Sequence, residues 1–224
     1  LLDACLRPGT AHTAEGATAF VLPLLDRVER DLCQVAAVRI DAGFPADPLL
    51  CAFEDRGTPY VARVRNNAVL DRRAAPYLTR PVGRPPGEPR TWFHEMTYQA
   101  GTWSRARRVV LVVQERPAEL FLHHFWLITN WVAEQLDGPA LLEMYRGRGT
   151  AEGYMGELMD VLAPALSSTP RAKRHDRGHA PRRRTPSGDA FAQNEAWLLL
   201  NVLAYNVVHV TRVLLEEATH TGWS

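Results

Sequence analysis

The stretch Tyr145-Arg146-Gly147-Arg148-Gly149-Thr150-Ala151-Glu152 decides how the rest of the chain reads. An apolar-periodic segment precedes it (Ala140, Leu141, Leu142, Met144) and another follows it (Met155, Leu158, Met159, Leu162). Apolar residues at that spacing mark helices, and glycines between them mark a junction. The reading is therefore a helix end, a short Gly-Arg-Gly turn and a new helix. That places Glu152 in the first turn of the second helix, where the positive end of the helix dipole favours a carboxylate, an anion, or a metal with phosphates. Met159 lies seven residues further on and shares a face with Glu152 and Met155. Taken alone, the stretch also fits a capping glutamate and two solvated loop arginines.

Upstream, the pattern alternates. Leu1–Leu6 reads as the tail of a strand closed by Arg7-Pro8-Gly9. Thr13 is a candidate cap for a helix through about Asp31. Val35–Ile40 is a short β-branched run that ends on Asp41, and a buried strand delivering an acid at its carboxyl end is where open α/β sheets place site residues. A helix over Pro45–Glu54 and a strand over Pro59–Val64 follow. Strand, helix, strand, helix, strand implies an at least partly parallel sheet.

Asn66–Arg90 is rich in proline and arginine and reads as irregular loop. Trp92–Gln99, Arg107–Gln114 and Phe121–Thr129 are aromatic and β-branched runs separated by turn signals, hence antiparallel strands. Helices are predicted at Val132–Tyr145 and Ala151–Leu162. Residues 167–188 form a Pro-, Arg- and His-rich loop. Ala190–Glu217 reads as a long helix, apolar nearly all round and therefore largely buried. The fold class is α/β: a first core part over 1–65, an antiparallel β insertion over 66–130, and a second core part over 131–224.

The 224 residues and 25.1 kDa suffice for a sizeable core. The formal net charge of +1 conceals six arginines and one lysine against one acid between Arg171 and Arg184. Such a segment attracts phosphate backbones without reading sequence. The three cysteines, Cys5, Cys33 and Cys51, show no zinc-ligand spacing and read as buried free thiols. There is no apolar run of membrane-spanning length and no signal peptide.

Two acids stand out by position, Asp41 and Glu152. A pair of carboxylates serves either acid–base work on glycosides or the holding of two divalent cations about 3.5–4 Å apart at phosphorus. The basic surroundings (Arg146, Arg148 and the 171–184 segment) favour the second, because phosphates are held by arginine forks.

At this point the chain resembles the DDE transposases of bacterial insertion sequences, in the branch with a Tyr-x2-Arg-x3-Glu-x6-Lys signature. The segments that carry the resemblance are Leu6-Arg7-Pro8-Gly9, Arg39-Ile40-Asp41-Ala42-Gly43-Phe44, Pro59-Tyr60-Val61, Leu127-Ile128-Thr129-Asn130, Tyr145 to Glu152, and Asn194 with Leu203-Ala204-Tyr205-Asn206. It implies an RNase H-like mixed-sheet core, incomplete at its N-terminus and interrupted by an antiparallel β insertion. It also implies that Asp41 and Glu152 are catalytic and bind Mg²⁺ or Mn²⁺, two ions in the complete site. Tyr145 and Arg148 are implied to grip DNA near the transposon end. Arg146, Arg171, Lys173 and Arg174 are expected as further DNA contacts.

The implied partner is double-stranded DNA, bound by a homodimer in the bacterial cytoplasm, with no membrane involved. The signature lysine falls at position 159, where this chain has Met159; Arg171 or Lys173 is the candidate replacement. The family's first aspartate lies on a strand earlier than any present here. A truncated transposase with weak or no catalysis of its own is therefore expected. The alternatives are a non-catalytic DNA-binding remnant and a metal-dependent nuclease with the same core.

Overall fold

The computed structural model describes residues 1–80, 82–83, 87–117, 119–161 and 188–221. Among these residues are six α-helices: α1 (Ala17–Asp31), α2 (Asp47–Arg56), α3 (Ala68–Ala74), α4 (Gly138–Arg146), α5 (Arg148–Val161) and α6 (Gly188–Thr219). The five strands among them are β1 (Val38–Ile40), β2 (Tyr60–Val64), β3 (Arg90–Tyr98), β4 (Arg107–Glu115) and β5 (His123–Thr129). The chain divides into two compact units, Ala11–Gly149 and Leu1–Thr10 with Thr150–Ser224.

The larger unit is a mixed α/β fold. Its five strands form one sheet in the order β1-β2-β5-β4-β3. β1 and β2 are parallel, with Ile40 opposite Ala62. The other pairs are antiparallel, so the strands after residue 66 continue the same sheet outward from β2. Alternation along the strands assigns the two faces. Tyr60, Ala62, Val64, Val109, Leu111, Trp126 and Ile128 pack with residues of α1, α2 and α3. Val61, Val110, Val112 and Leu127 pack with Leu141 and Leu142 of α4. Thr129, Asn130 and β2 are tied at the sheet's other end: the Asn130 side chain accepts from Tyr60 N–H and donates to the Thr58 carbonyl.

Several expectations are corrected. Leu1–Leu6 forms no strand; it lies without regular structure in the smaller unit, where Leu1, Ala4 and Leu6 pack against Leu158, Leu198, Val202 and Tyr205. Thr13 does not cap α1, which starts after Gly16 in the left-handed conformation (φ 72°). The Thr13 methyl instead faces Gly43, where an added Cβ would come within 2.6 Å of it. Residues 66–90 are not wholly irregular. Asn67 accepts from the Val69 and Leu70 N–H groups and starts α3, which buries Leu70 and Ala74. The helix predicted from Val132 begins only at Gly138, where Asp137 caps Ala140 N–H and Pro139 sits in the first turn. The cysteines are free, but Cys5 and Cys33 are exposed and Cys51 only half-buried.

A buried ionic cluster joins α2 to the sheet. The Arg107 side chain, 2% exposed, donates to Glu54 at 2.6 Å and to Asp47 at 2.7 Å. The Tyr60 hydroxyl donates to Glu54 at 2.8 Å, and the Arg107 guanidinium lies 5.2 Å from the Trp103 ring centroid. Burial, and then the bond to Glu54, push the Tyr60 phenol far above its ordinary pKa.

In the smaller unit, Leu158 of α5 and Leu198, Val202 and Tyr205 of α6 are buried together. The Tyr205 hydroxyl donates to Glu157 at 2.6 Å, and Arg212 pairs with the same carboxylate at 3.2 Å. Burial and then Glu157 push the Tyr205 phenol up to about 12. The expectation of a largely buried α6 fails: Leu200, Leu203, Val207, Val208 and Leu214 are exposed. Only one stripe of the helix meets α5 and the 1–6 segment, so apolar residues on its other faces have nothing to pack on among the described residues. By length and composition alone, Phe191–Thr219, with mean hydropathy 1.6, is long and apolar enough to cross a membrane. Glu195, Arg212, Glu216, Glu217 and the asparagines break its apolar residues into short runs, which is why the sequence shows no apolar run of membrane-spanning length.

Candidate functional site

Asp41 follows directly on β1, so the strand delivers its carboxylate to the carboxyl end of the parallel pair. The Asp41 carbonyl accepts from Phe44 N–H at 3.1 Å, closing the turn into α2. Its side chain is half-exposed and meets Arg148 Nη1 at 3.6 Å. Arg148 is held in turn over the Tyr145 ring, 5.6 Å from its centroid. Tyr145 packs beside the apolar cluster under α4. Two segments about a hundred residues apart in sequence thus meet in one unit.

Arg39 explains how the junction is held. It lies two residues before Asp41 on the same face of β1, and its guanidinium donates to the Met144 carbonyl at 3.3 Å. That carbonyl belongs to the last turn of α4, where helical acceptors lack intrahelical donors and a cation is favoured. Gly147 leaves the space: a Cβ built there would overlap the Arg39 guanidinium. At its other end α4 is fixed by Arg108, which donates to the Trp131 and Leu136 carbonyls at 3.0 and 2.9 Å and pairs with Glu95. Gly138 there approaches Phe93 so closely that an added Cβ would sit 2.8 Å from its ring.

The helix junction differs from expectation. Gly147 alone interrupts the helices and keeps right-handed dihedrals (φ −56°, ψ −10°), so α5 resumes at Arg148 and Gly149 is helical. Glu152 is consequently the fifth residue of α5 and not in its first turn, where the dipole acts most strongly. Glu152 is exposed and belongs to the smaller unit, as do the exposed Met155 and Met159. Arg146 is exposed and pairs with Glu143 at 3.3 Å. The structure therefore brings together Asp41, Tyr145 and Arg148, while Arg146 points to a local partner. Arg171, Lys173 and Arg174 lie outside the described residues.

The sequence reading assigned no role to Arg39, Arg63 or Arg65. Their signal was parity: Arg39 on β1 and Val61 and Arg63 on β2 alternate onto the α4 face, and the same alternation continues to Asp41 and Arg65 just beyond the strands. As a donor set, Asp41 offers hard carboxylate oxygens suited to one position on a divalent cation. No group of three or more His, Cys, Asp or Glu side chains is gathered for a metal among the described residues. Asp41 thus fits as one ligand and not as a complete site.

A family model described as "Transposase DDE domain group 1" matches residues 1–177. No curated protein matches the sequence.

Proposed function

Because the chain belongs to the DDE transposase family, group 1, we propose that it is the catalytic region of a cut-and-paste DNA transposase of the bacterial insertion-sequence type. In this reading the core is RNase H-like, the strands within 66–130 are its insertion, and the chain works in the cytoplasm as a homodimer on double-stranded transposon ends and target. The observation that supports it most is the meeting of Asp41 with Arg148 and Tyr145 at the carboxyl end of β1. An acid flanked by arginines at a strand end suits chemistry at a phosphodiester, where the arginines bind the anionic backbone and the acid faces the reacting phosphorus.

Each residue has a proposed role. Arg148, pre-oriented over Tyr145, binds a phosphate oxygen. Arg39 is a positioning residue that holds the α4–α5 junction. Asp41 and Glu152 are proposed to hold Mg²⁺ or Mn²⁺; when bound, the ion supplies charge stabilisation for the oxygens that attack and leave phosphorus. Arg146, Arg171, Lys173 and Arg174 extend the contact with the DNA backbone.

The test is incubation of the chain with supercoiled plasmid in Mn²⁺ and in EDTA. Mn²⁺-dependent nicking that disappears in Glu152→Gln supports the reading. Absence of DNA binding even at low salt overturns it. A second reading, a DNA-binding remnant without catalysis, is favoured by the lack of any three-acid grouping among the described residues and by Met159 in place of the signature lysine. DNA binding with no nicking in Mn²⁺ supports that one.

Gly147→Ala separates positioning from stability. The Gly147 backbone is already helical, so alanine gains about 0.4–1 kcal/mol through the unfolded chain. Displacing Arg39 from the Met144 carbonyl loses about 1 kcal/mol. The melting temperature is therefore expected to stay within about 3 °C, while DNA affinity falls severalfold as Arg148 loses its fixed position. A thermal melt and a fluorescence-anisotropy titration check the two halves.

A further inference from the structure

We propose that Arg63, stacked on Phe125, is a second phosphate-binding position next to Asp41, and that it takes the DNA backbone flanking the reacting phosphodiester. The proposal rests on the DNA-acting reading given above and extends it to residues outside the signature segment.

The placement follows from register. Ile40 is opposite Ala62, the last pair of the parallel register, so Asp41 and Arg63 are each the next residue beyond it at the carboxyl end of the pair. Parity puts both on the sheet face that carries α4, along with Arg39 and Val61. Arg63 is opposite Leu127 on β5, and Phe125 lies two residues further along the same face. The Arg63 guanidinium sits 5.0 Å from the Phe125 ring centroid.

Chemistry then selects the ligand. Arg63 is exposed, and no carboxylate among the described residues pairs with it. By contrast Arg56, Arg105, Arg107 and Arg108 of the same unit all have acidic partners. A guanidinium laid on an aromatic ring keeps its N–H edges free while its plane is fixed. That leaves less side-chain entropy to lose when a planar fork binds two phosphate oxygens. Arg148, 3.6 Å from Asp41, provides a second cation at the same end of the strand. Arg148, Asp41, Arg63 and Phe125 thus form a track in which one acid is bracketed by cations. That charge pattern complements a phosphodiester chain whose central phosphate faces the acid.

The experiment is an anisotropy titration of duplex DNA with the full chain across salt concentration, for wild type, Arg63→Ala, Arg63→Lys and Phe125→Leu. Circular dichroism establishes that each variant is folded. Arg63→Ala is expected to weaken binding about tenfold at low salt and to make the slope of log affinity against log salt shallower by about 0.9, the value for one lost phosphate contact. Arg63→Lys keeps the charge but not the fork, so its slope stays near that of wild type while its affinity falls severalfold. Phe125→Leu is expected to resemble Arg63→Lys. If wild type binds and Arg63→Ala binds equally with an unchanged slope, the inference is wrong and the DNA-acting reading stands. If wild type itself does not bind DNA, both fall.

Discussion

Arg107→Ala is expected to cost about 3–5 kcal/mol of folding stability, because it leaves Asp47 and Glu54 facing an apolar sheet without their cation. The side chain is a hub. Its three nitrogens reach two carboxylates and the Cys51 sulfur, and its plane covers Trp103. Glu54 also accepts from Tyr60, so the variant disturbs a bond that ties β2 to α2. Burial pushes the Asp47 carboxyl up, but the Arg107 guanidinium and the Ser104 N–H outweigh it and hold it at about 2. A carboxyl lowered in the folded state contributes its stability fully above the ordinary range near pH 4 and loses it as pH falls through about 2. The gap between wild type and Arg107→Ala should therefore narrow between pH 4 and pH 2. Urea unfolding across that range measures both effects. The triple variant Arg107→Met, Glu54→Gln, Asp47→Asn removes the charges together and should recover most of the loss. If it stays as unstable as Arg107→Ala, packing and not charge is the cause.

That cluster also marks the limit of what the sequence made legible. The strand, helix, strand order around Asp41 was readable because short apolar, β-branched runs flank a segment that opens with Pro45 and closes near Gly57. The three antiparallel strands were readable for the same reason. Arg107 was not, since nothing local separates an arginine that faces α2 from Arg108, its neighbour, which faces the other side. Parity identifies the face, but only the fold says that acids wait on it.

Misreadings had local causes too. Residues 66–80 looked irregular because arginines and a proline outnumber the two apolar contacts, Leu70 and Ala74, that α3 buries. Leu1–Leu6 looked like a strand because three leucines suit β-structure as well as they suit a segment packed against α6. For α6, composition alone suggested burial, yet burial depends on how much surface the neighbours present. Here α5 and residues 1–6 cover one stripe. The candidate site was half legible: the signature segment and Asp41 were singled out, while Arg39 and Arg63 were passed over although each shares a strand face with a residue already noted.

Asp41→Asn is expected to tighten metal-free DNA binding about threefold to tenfold while ending any divalent-dependent cleavage. In the folded chain the Asp41 carboxylate has Arg148 at 3.6 Å. Half-exposed pairs of this kind are worth up to about 1 kcal/mol, and DNA must compete with that pair for the arginine. Asparagine keeps the size and a hydrogen-bonding oxygen but removes the charge, so Arg148 becomes available to phosphate and the repulsion between carboxylate and backbone disappears. Together these are worth about 1 kcal/mol or slightly more, hence the fold-change. The same substitution removes the hard anionic oxygen that a divalent cation needs, so nicking in Mn²⁺ should fall to the level seen in EDTA. Titrations in EDTA and plasmid nicking in Mn²⁺ read the two effects separately. If Asp41 were only a strand-end acid that anchors Arg148, the variant would free a side chain without a preferred position, and metal-free binding would stay level or weaken. Tightening together with loss of cleavage has one physical cause: a carboxylate held by arginine in the absence of metal and aimed at the place where DNA is cut.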